Sequence, residues 1–232
     1  MSGPLPTLIF DLDGTLTDSR PGIVACLRKV LNARSLDYQG PLDRFIGPPV
    51  EDWTAALLPE ASDKDRDALA RDYRNCYDRE GWKNCSIFAG LREILEQLHA
   101  QGFPLFVCTS KHHDFAVRIL DAFRFTDLFT AIYGDKPEYA DHSKVALLST
   151  LLHQWSLDKK STWMIDDRIF DFQAARANHI GTLAAGWGYG TVEELALAGA
   201  VAATPAELLA LVSRLKPSPS LPDGFSHPAR IP

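Results

Sequence analysis

A chain of 232 residues, 46% apolar and 23% charged, fits one sizeable α/β domain carrying a smaller inserted one, not two separate large domains. That composition allows an ordinary hydrophobic core without disulfides or a structural metal. The net charge of −6 argues against binding a phosphate backbone, so nucleic acid is not an expected partner. The first residues carry no basic flank, and the apolar run from Leu8 to Phe10 is too short for a signal peptide or a membrane span. A cytoplasmic protein with no membrane partner is therefore expected. Thr7-Leu8-Ile9-Phe10 reads as a buried strand that opens into the turn Asp11-Leu12-Asp13-Gly14-Thr15.

From Thr17 to Phe88 helical spacing dominates, first through Ile23, Leu27, Val30 and Leu31, then through Leu69, Tyr73 and Tyr77, and no strand is expected between. This segment reads as an inserted helical domain, with Trp53, Tyr73, Tyr77 and Trp82 packing its core or, for one of them, facing a substrate. After Gly90 the pattern alternates. A helix through Leu91, Ile94, Leu95 and Leu98 stops at Gly102, and a strand runs from Phe103 to Cys108. A helix around Phe115, Ile119 and Phe123, a strand at Ala131 to Tyr133, a helix through Val145, Leu148 and Leu152, and a strand from Thr162 to Ile165 follow. Such alternation predicts a parallel sheet with helices on both faces. Capping boxes at Thr191/Glu194 and Thr204/Glu207, the second with Pro205 at its first helical position, start two further helices. The proline-rich stretch from Lys216 reads as a disordered tail. Cys26, Cys76, Cys85 and Cys108 show no paired spacing and read as reduced packing residues.

Ligands of open α/β sheets bind beyond the C-terminal ends of the strands. Three such ends carry polar residues: Asp11 and Asp13; Thr109-Ser110-Lys111; and Asp166-Asp167 with Asp171. Lys144 opens a helix just before the third strand. Four or five carboxylates in one crevice resist joint ionisation unless a hard cation joins them, and oxygen ligands favour Mg²⁺. Thr109 can then donate to a phosphate oxygen and Lys144 can balance a dianion, which makes a phosphoryl-transfer site. With no Ser–His or Cys–His pair evident, a carboxylate is the economical nucleophile. His112 and His113 read as surface residues at a helix entrance.

D-L-D-G-T at 11–15, T-S-K at 109–111, Lys144 and D-R-I-F-D at 167–171 resemble, in order and separation, the four motifs of haloacid dehalogenase superfamily phosphatases. Phe45 to Pro49, Tyr73 to Gly81 and Trp187-Gly188-Tyr189-Gly190 resemble its phosphoglycolate phosphatase-like branch. The resemblance implies a Rossmann-like doubly wound parallel sheet core at 1–16 and 89–215, a helical cap domain at 17–88, and a tail at 216–232. It further implies that Asp11 forms an aspartyl-phosphate and that Asp13 protonates the leaving alcohol and then activates water. Mg²⁺ would be held by Asp11, the Asp13 carbonyl and Asp167, with Asp171 as a further ligand or as support behind the ligands. The phosphate would be held by Thr109, the Ser110 amide and Lys144, with Gly14, Thr15, Lys111 and Gly47 also touching substrate. A small phosphate monoester is expected, 2-phosphoglycolate first. A nucleotide or sugar phosphate comes next, and then a phosphomutase or a non-catalytic phosphate-binding protein. A monomer or homodimer is expected. Two departures stand out: Asp166 replaces a family glycine, and Lys136 before Pro137 imitates another form of the third motif, although Lys144 fits better.

Overall fold

The computed structural model describes residues 5–48 and 50–215; Pro49 and the expected tail at 216–232 lie outside the described residues. A six-stranded parallel sheet has the order β5-β4-β1-β6-β7-β8. Its strands are β1 (Thr7–Phe10), β4 (Leu105–His112), β5 (Ala131–Asp135), β6 (Thr162–Asp166), β7 (Gly181–Ala185) and β8 (Ala200–Ala202). β1 lies between β4 and β6, with Leu8 opposite Leu105 on one side and Ile9 opposite Met164 on the other. Every residue of β1 is buried, as a central strand covered on both faces requires.

Alternation along β1 sends Leu8 and Phe10 into one core cluster, shared with α4 (Leu91–Ala100), α5 (His113–Ala122) and α9 (Pro205–Val212). Ile9 enters a second cluster with α6 (Lys144–Gln154) and α7 (Ile169–Ala177) on the opposite face. The expected layering of helices on both faces is thus present. Three details differ from the expectation. The second strand runs on to His112, so Thr109, Ser110 and Lys111 belong to β4, whose pairing with β5 slips between Thr109 and His112. Val145 is exposed, and α6 packs instead through Leu147, Leu148, Leu151 and Leu152. The strands β7 and β8, built largely of Ala and Gly, carry little β-propensity of their own; β7 is buried between β6 and β8, whereas β8 pairs with β7 at the sheet edge.

Between β1 and β4 the chain leaves and re-enters the core through two short antiparallel strands, β2 (Thr17–Asp18) and β3 (Ser86–Ile87). Two-residue strands show no periodicity, so these were not expected. α1 (Arg20–Ala33), α2 (Val50–Leu57) and α3 (Asp63–Arg79) lie between them and share a separate apolar cluster that includes Ile23, Leu27, Phe45, Trp53, Tyr73 and Tyr77. All four cysteines are free. Cys26 and Cys76 meet at 2.8 Å between α1 and α3, where burial pushes the Cys26 thiol up to about 12 and keeps it an inert packing group. Toward the C-terminus, α8 (Val192–Leu195) begins with a complete capping box. At α9, Thr204 caps Glu207, but the Glu207 carboxylate reaches the Ala203 amide rather than that of Thr204.

Candidate active site

The C-terminal ends of β1, β4 and β6 lie side by side and carry the polar residues to one place. Asp11 follows β1 directly, and Asp166 is the last residue of β6. Carboxylate oxygens of Asp11, Asp166 and Asp171 lie within 4.8 Å of one another. Lys144, buried at the start of α6, donates to Asp11 Oδ1 at 2.6 Å and stands 2.5 Å from Asp171 Oδ1. Anionic partners thus answer for a lysine at the positive end of a helix dipole. The structure brings Lys144 to Asp11 and Asp171, whereas Lys136 lies near His113.

Burial pushes the Asp11 carboxyl up to about 7 against the pull of Lys144, with Asp171 and Asp13 adding to the rise. Asp166 is raised well above the carboxylate range by burial and by Asp171 and Asp11. Burial alone would lower Lys144, yet Asp11 and Asp171 hold it well above its ordinary value. The pocket is therefore short of positive charge.

Asp13 points its Oδ2 at Lys111 Nζ, 2.7 Å away, and Lys111 also lies 4.4 Å above the Tyr77 ring. Thr109 is buried, with its hydroxyl accepting from the Lys111 amide at 3.3 Å. Asp167, beside this cluster, is held through both carboxylate oxygens. Its Oδ1 accepts from the Thr15 hydroxyl at 3.3 Å and its Oδ2 from the Tyr189 amide at 2.6 Å. Gly14 makes this approach possible: its φ is +96°, and a Cβ there would meet Asp167 Oδ2 at 2.5 Å. Asp166 occupies the place expected of a glycine, and its Oδ1 accepts from the amides of Asp167 and Arg168 at 2.6 and 2.8 Å. Its side chain thereby shapes the loop after β6 and faces the other aspartates.

The donor set suits a hard divalent cation. Asp11, Asp13, Asp166, Asp167 and Asp171 are all buried; among the described residues only Lys111 and Lys144 form ion pairs with them, and Asp13 Oδ1 and Asp166 Oδ2 are buried with no hydrogen-bond partner among the described residues. Oxygen ligands in excess of positive charge are what Mg²⁺ requires.

Several contributors were not foreseen. Arg168 donates from Nη1 to the Ile46 carbonyl at 2.8 Å and pairs through Nε with Glu194 at 3.3 Å, fastening the Gly47 loop to the core. The Tyr189 hydroxyl donates to Asp18 at 2.8 Å and accepts from the Arg20 amide, while Trp187 Nε1 donates to the Thr15 carbonyl at 3.0 Å. The Trp187–Gly190 stretch thus ties the Asp167 loop to β2. Nothing in the local spacing signals these contacts. A cavity of about 440 Å³ opens between the helical segment and the strand ends, with Asp13, Ser110, Lys111 and Gly47 in its wall. His112, read as a surface residue, caps α5 and also lines this cavity.

A doubly wound parallel sheet with a carboxylate-lined crevice at its switch point defines an α/β enzyme fold. A family model described as haloacid dehalogenase-like hydrolase matches residues 8–185. Tyrosine-protein kinase PtkA of Mycobacterium tuberculosis is 37% identical over 195 residues, 82% of this chain, and the chain spans 66% of that relative's length. A 5'-nucleotidase of Pseudomonas aeruginosa is 33% identical over 192 residues, covering 82% of this chain and 86% of that protein. The crystal structure of a predicted phosphatase from Clostridium acetobutylicum superposes with a TM-score of 0.85 at 28% identity, covering 91% of this chain and all of the other. The chain belongs to the haloacid dehalogenase-like hydrolase family.

Proposed function

We propose that the chain is a Mg²⁺-dependent phosphatase that hydrolyses a small phosphate monoester in the cytoplasm, with Asp11 as nucleophile. The observation that carries this reading is the buried contact of Lys144 with both Asp11 and Asp171, beside Asp13 and Asp166. An Asp11 carboxylate oxygen attacks phosphorus while the leaving alcohol takes a proton from Asp13. Asp13 then removes a proton from water, which attacks the aspartyl-phosphate, frees phosphate and restores Asp11. Lys144, Thr109 and the Ser110 amide hold the phosphoryl oxygens, and Lys111 orients Asp13. Asp11, the Asp13 carbonyl, Asp167 and Asp171, joined by Asp166, would hold Mg²⁺, which when bound neutralises the carboxylates and the phosphoryl oxygens. Residues 17–88 serve as a cap domain that excludes water, with the Gly47 loop at its rim.

The branch resemblance ranks 2-phosphoglycolate first, and the Pseudomonas relative's name supports a nucleotide as the alternative. Phosphate release from a panel of monoesters, with Mg²⁺ and with chelator, tests the reading. Turnover that needs Mg²⁺ and vanishes in Asp11→Asn is expected; undiminished turnover in Asp11→Asn overturns it.

A further inference from the structure

We propose that the leaving group of the substrate carries a flat aromatic ring, bound against an aromatic wall of the cavity. The inference rests on the phosphatase reading above and moves a ring-bearing phosphate ahead of the 2-phosphoglycolate that the branch resemblance ranks first.

The wall is a continuous series. Phe45 and Trp53 have ring centroids 6.1 Å apart, Trp53 and Tyr73 5.1 Å, Tyr73 and Tyr77 5.9 Å, and Tyr77 and Phe115 5.3 Å. All five line the cavity. The series starts at the chemistry, because Lys111 bridges the Tyr77 ring and Asp13, and it leads away from there into the helical segment. The Tyr77 hydroxyl is buried with no partner among the described residues. An unpaired buried phenol is costly in a closed core.

The same cavity is poorly matched to a short carboxylic acid. Its Arg74 is paired with Glu51, its Lys111 with Asp13 and its His142 with Asp135, so a substrate carboxylate meets cations already engaged. A volume of about 440 Å³ also lies in the range of drug-sized ligands, far above the needs of a two-carbon leaving group. Rings stack on aromatic faces irrespective of their identity, so a nucleoside and an aryl group share this chemistry.

The test compares kcat/KM for phosphate release from adenosine 5'-monophosphate, phosphotyrosine, ribose 5-phosphate and 2-phosphoglycolate, with Mg²⁺. At least one ring-bearing substrate is expected to exceed ribose 5-phosphate and 2-phosphoglycolate by about tenfold or more. Which one leads separates a base held beyond a sugar from a ring on the ester oxygen. In Trp53→Leu that preference ratio should fall toward one. Efficient release from ribose 5-phosphate or 2-phosphoglycolate without a ring preference keeps the phosphatase and overturns the aromatic wall. If no substrate releases phosphate, calorimetric titration of the wild-type protein decides. Tighter binding of adenosine 5'-monophosphate or phosphotyrosine than of ribose 5-phosphate upholds the wall while the phosphatase reading falls; equal binding overturns both.

Discussion

The Lys111 ammonium stands 2.7 Å from the Asp13 carboxylate, and both side chains are almost wholly withdrawn from solvent, at 7% and 11% exposure. Low polarity strengthens such a contact, so Lys111 fixes the orientation of the group proposed to move the proton. Lys111→Met is expected to lower kcat by about 10²-fold, the scale of general acid–base catalysis. Lys111→Arg should recover part of the loss. Wild-type kcat in Lys111→Met would exclude the orienting role.

Lys144 has a different task, since it is the shared partner of Asp11 and Asp171. Its removal leaves buried carboxylates uncompensated, at a cost of about 3–5 kcal/mol in the metal-free protein. Urea unfolding of Lys144→Met in chelator should show that loss, and Mg²⁺ should recover part of it. An unchanged midpoint would mean that the pair contributes nothing to the fold.

A third expectation concerns pH. Burial raises Asp11 from 3.8 to about 7 and Asp167 from 3.8 to about 6, so between those values the folded metal-free chain binds more protons than the unfolded one. Stability then falls as pH rises, because the derivative follows the protons bound unfolded minus those bound folded. The contribution is fully present below 3.8 and lost by about 7. Melting in chelator should therefore occur at a lower temperature at pH 7.5 than at pH 5, and Mg²⁺ should raise it most at the higher pH. A Mg²⁺ effect of equal size at both would contradict this origin.

Asp166 provides the fourth. Its Oδ2 is buried with no hydrogen-bond partner among the described residues and lies beside Asp11 and Asp171. Asp166→Asn preserves the shape and the acceptor for the Asp167 and Arg168 amides, but removes the anionic oxygen that Asp166 would offer Mg²⁺. The Mg²⁺ concentration for half-maximal turnover is expected to rise about 10–100-fold, with activity regained at high Mg²⁺. An unshifted Mg²⁺ titration would leave Asp166 a purely structural residue.

The parts of the site that were legible in the sequence share one physical cause. A continuous apolar strand such as Thr7–Phe10 has to be central, so the carboxylates that follow it have to lie at the crevice. Lys144 was legible for a similar reason, as a cation placed where a helix dipole repels it. The Arg168–Ile46 contact joins positions 122 residues apart, and no local period reports such a pairing. The aromatic residues Trp53, Tyr73 and Tyr77 were read as core or as substrate-facing, and they are buried in the helical cluster while also lining the cavity. A helical period marks which residues face inward. It does not reveal whether the interior is filled.

Glu194 closes the capping box of α8 with one carboxylate oxygen and receives Arg168 with the other. A helix of four residues has no stability of its own. Its folding and the anchoring of the Gly47 loop are therefore one cooperative event: when α8 frays, Arg168 loses a partner and its hold on Ile46 weakens. A ligand that seals the cavity should slow amide hydrogen exchange at Glu194 and Leu195, neither of which lines it.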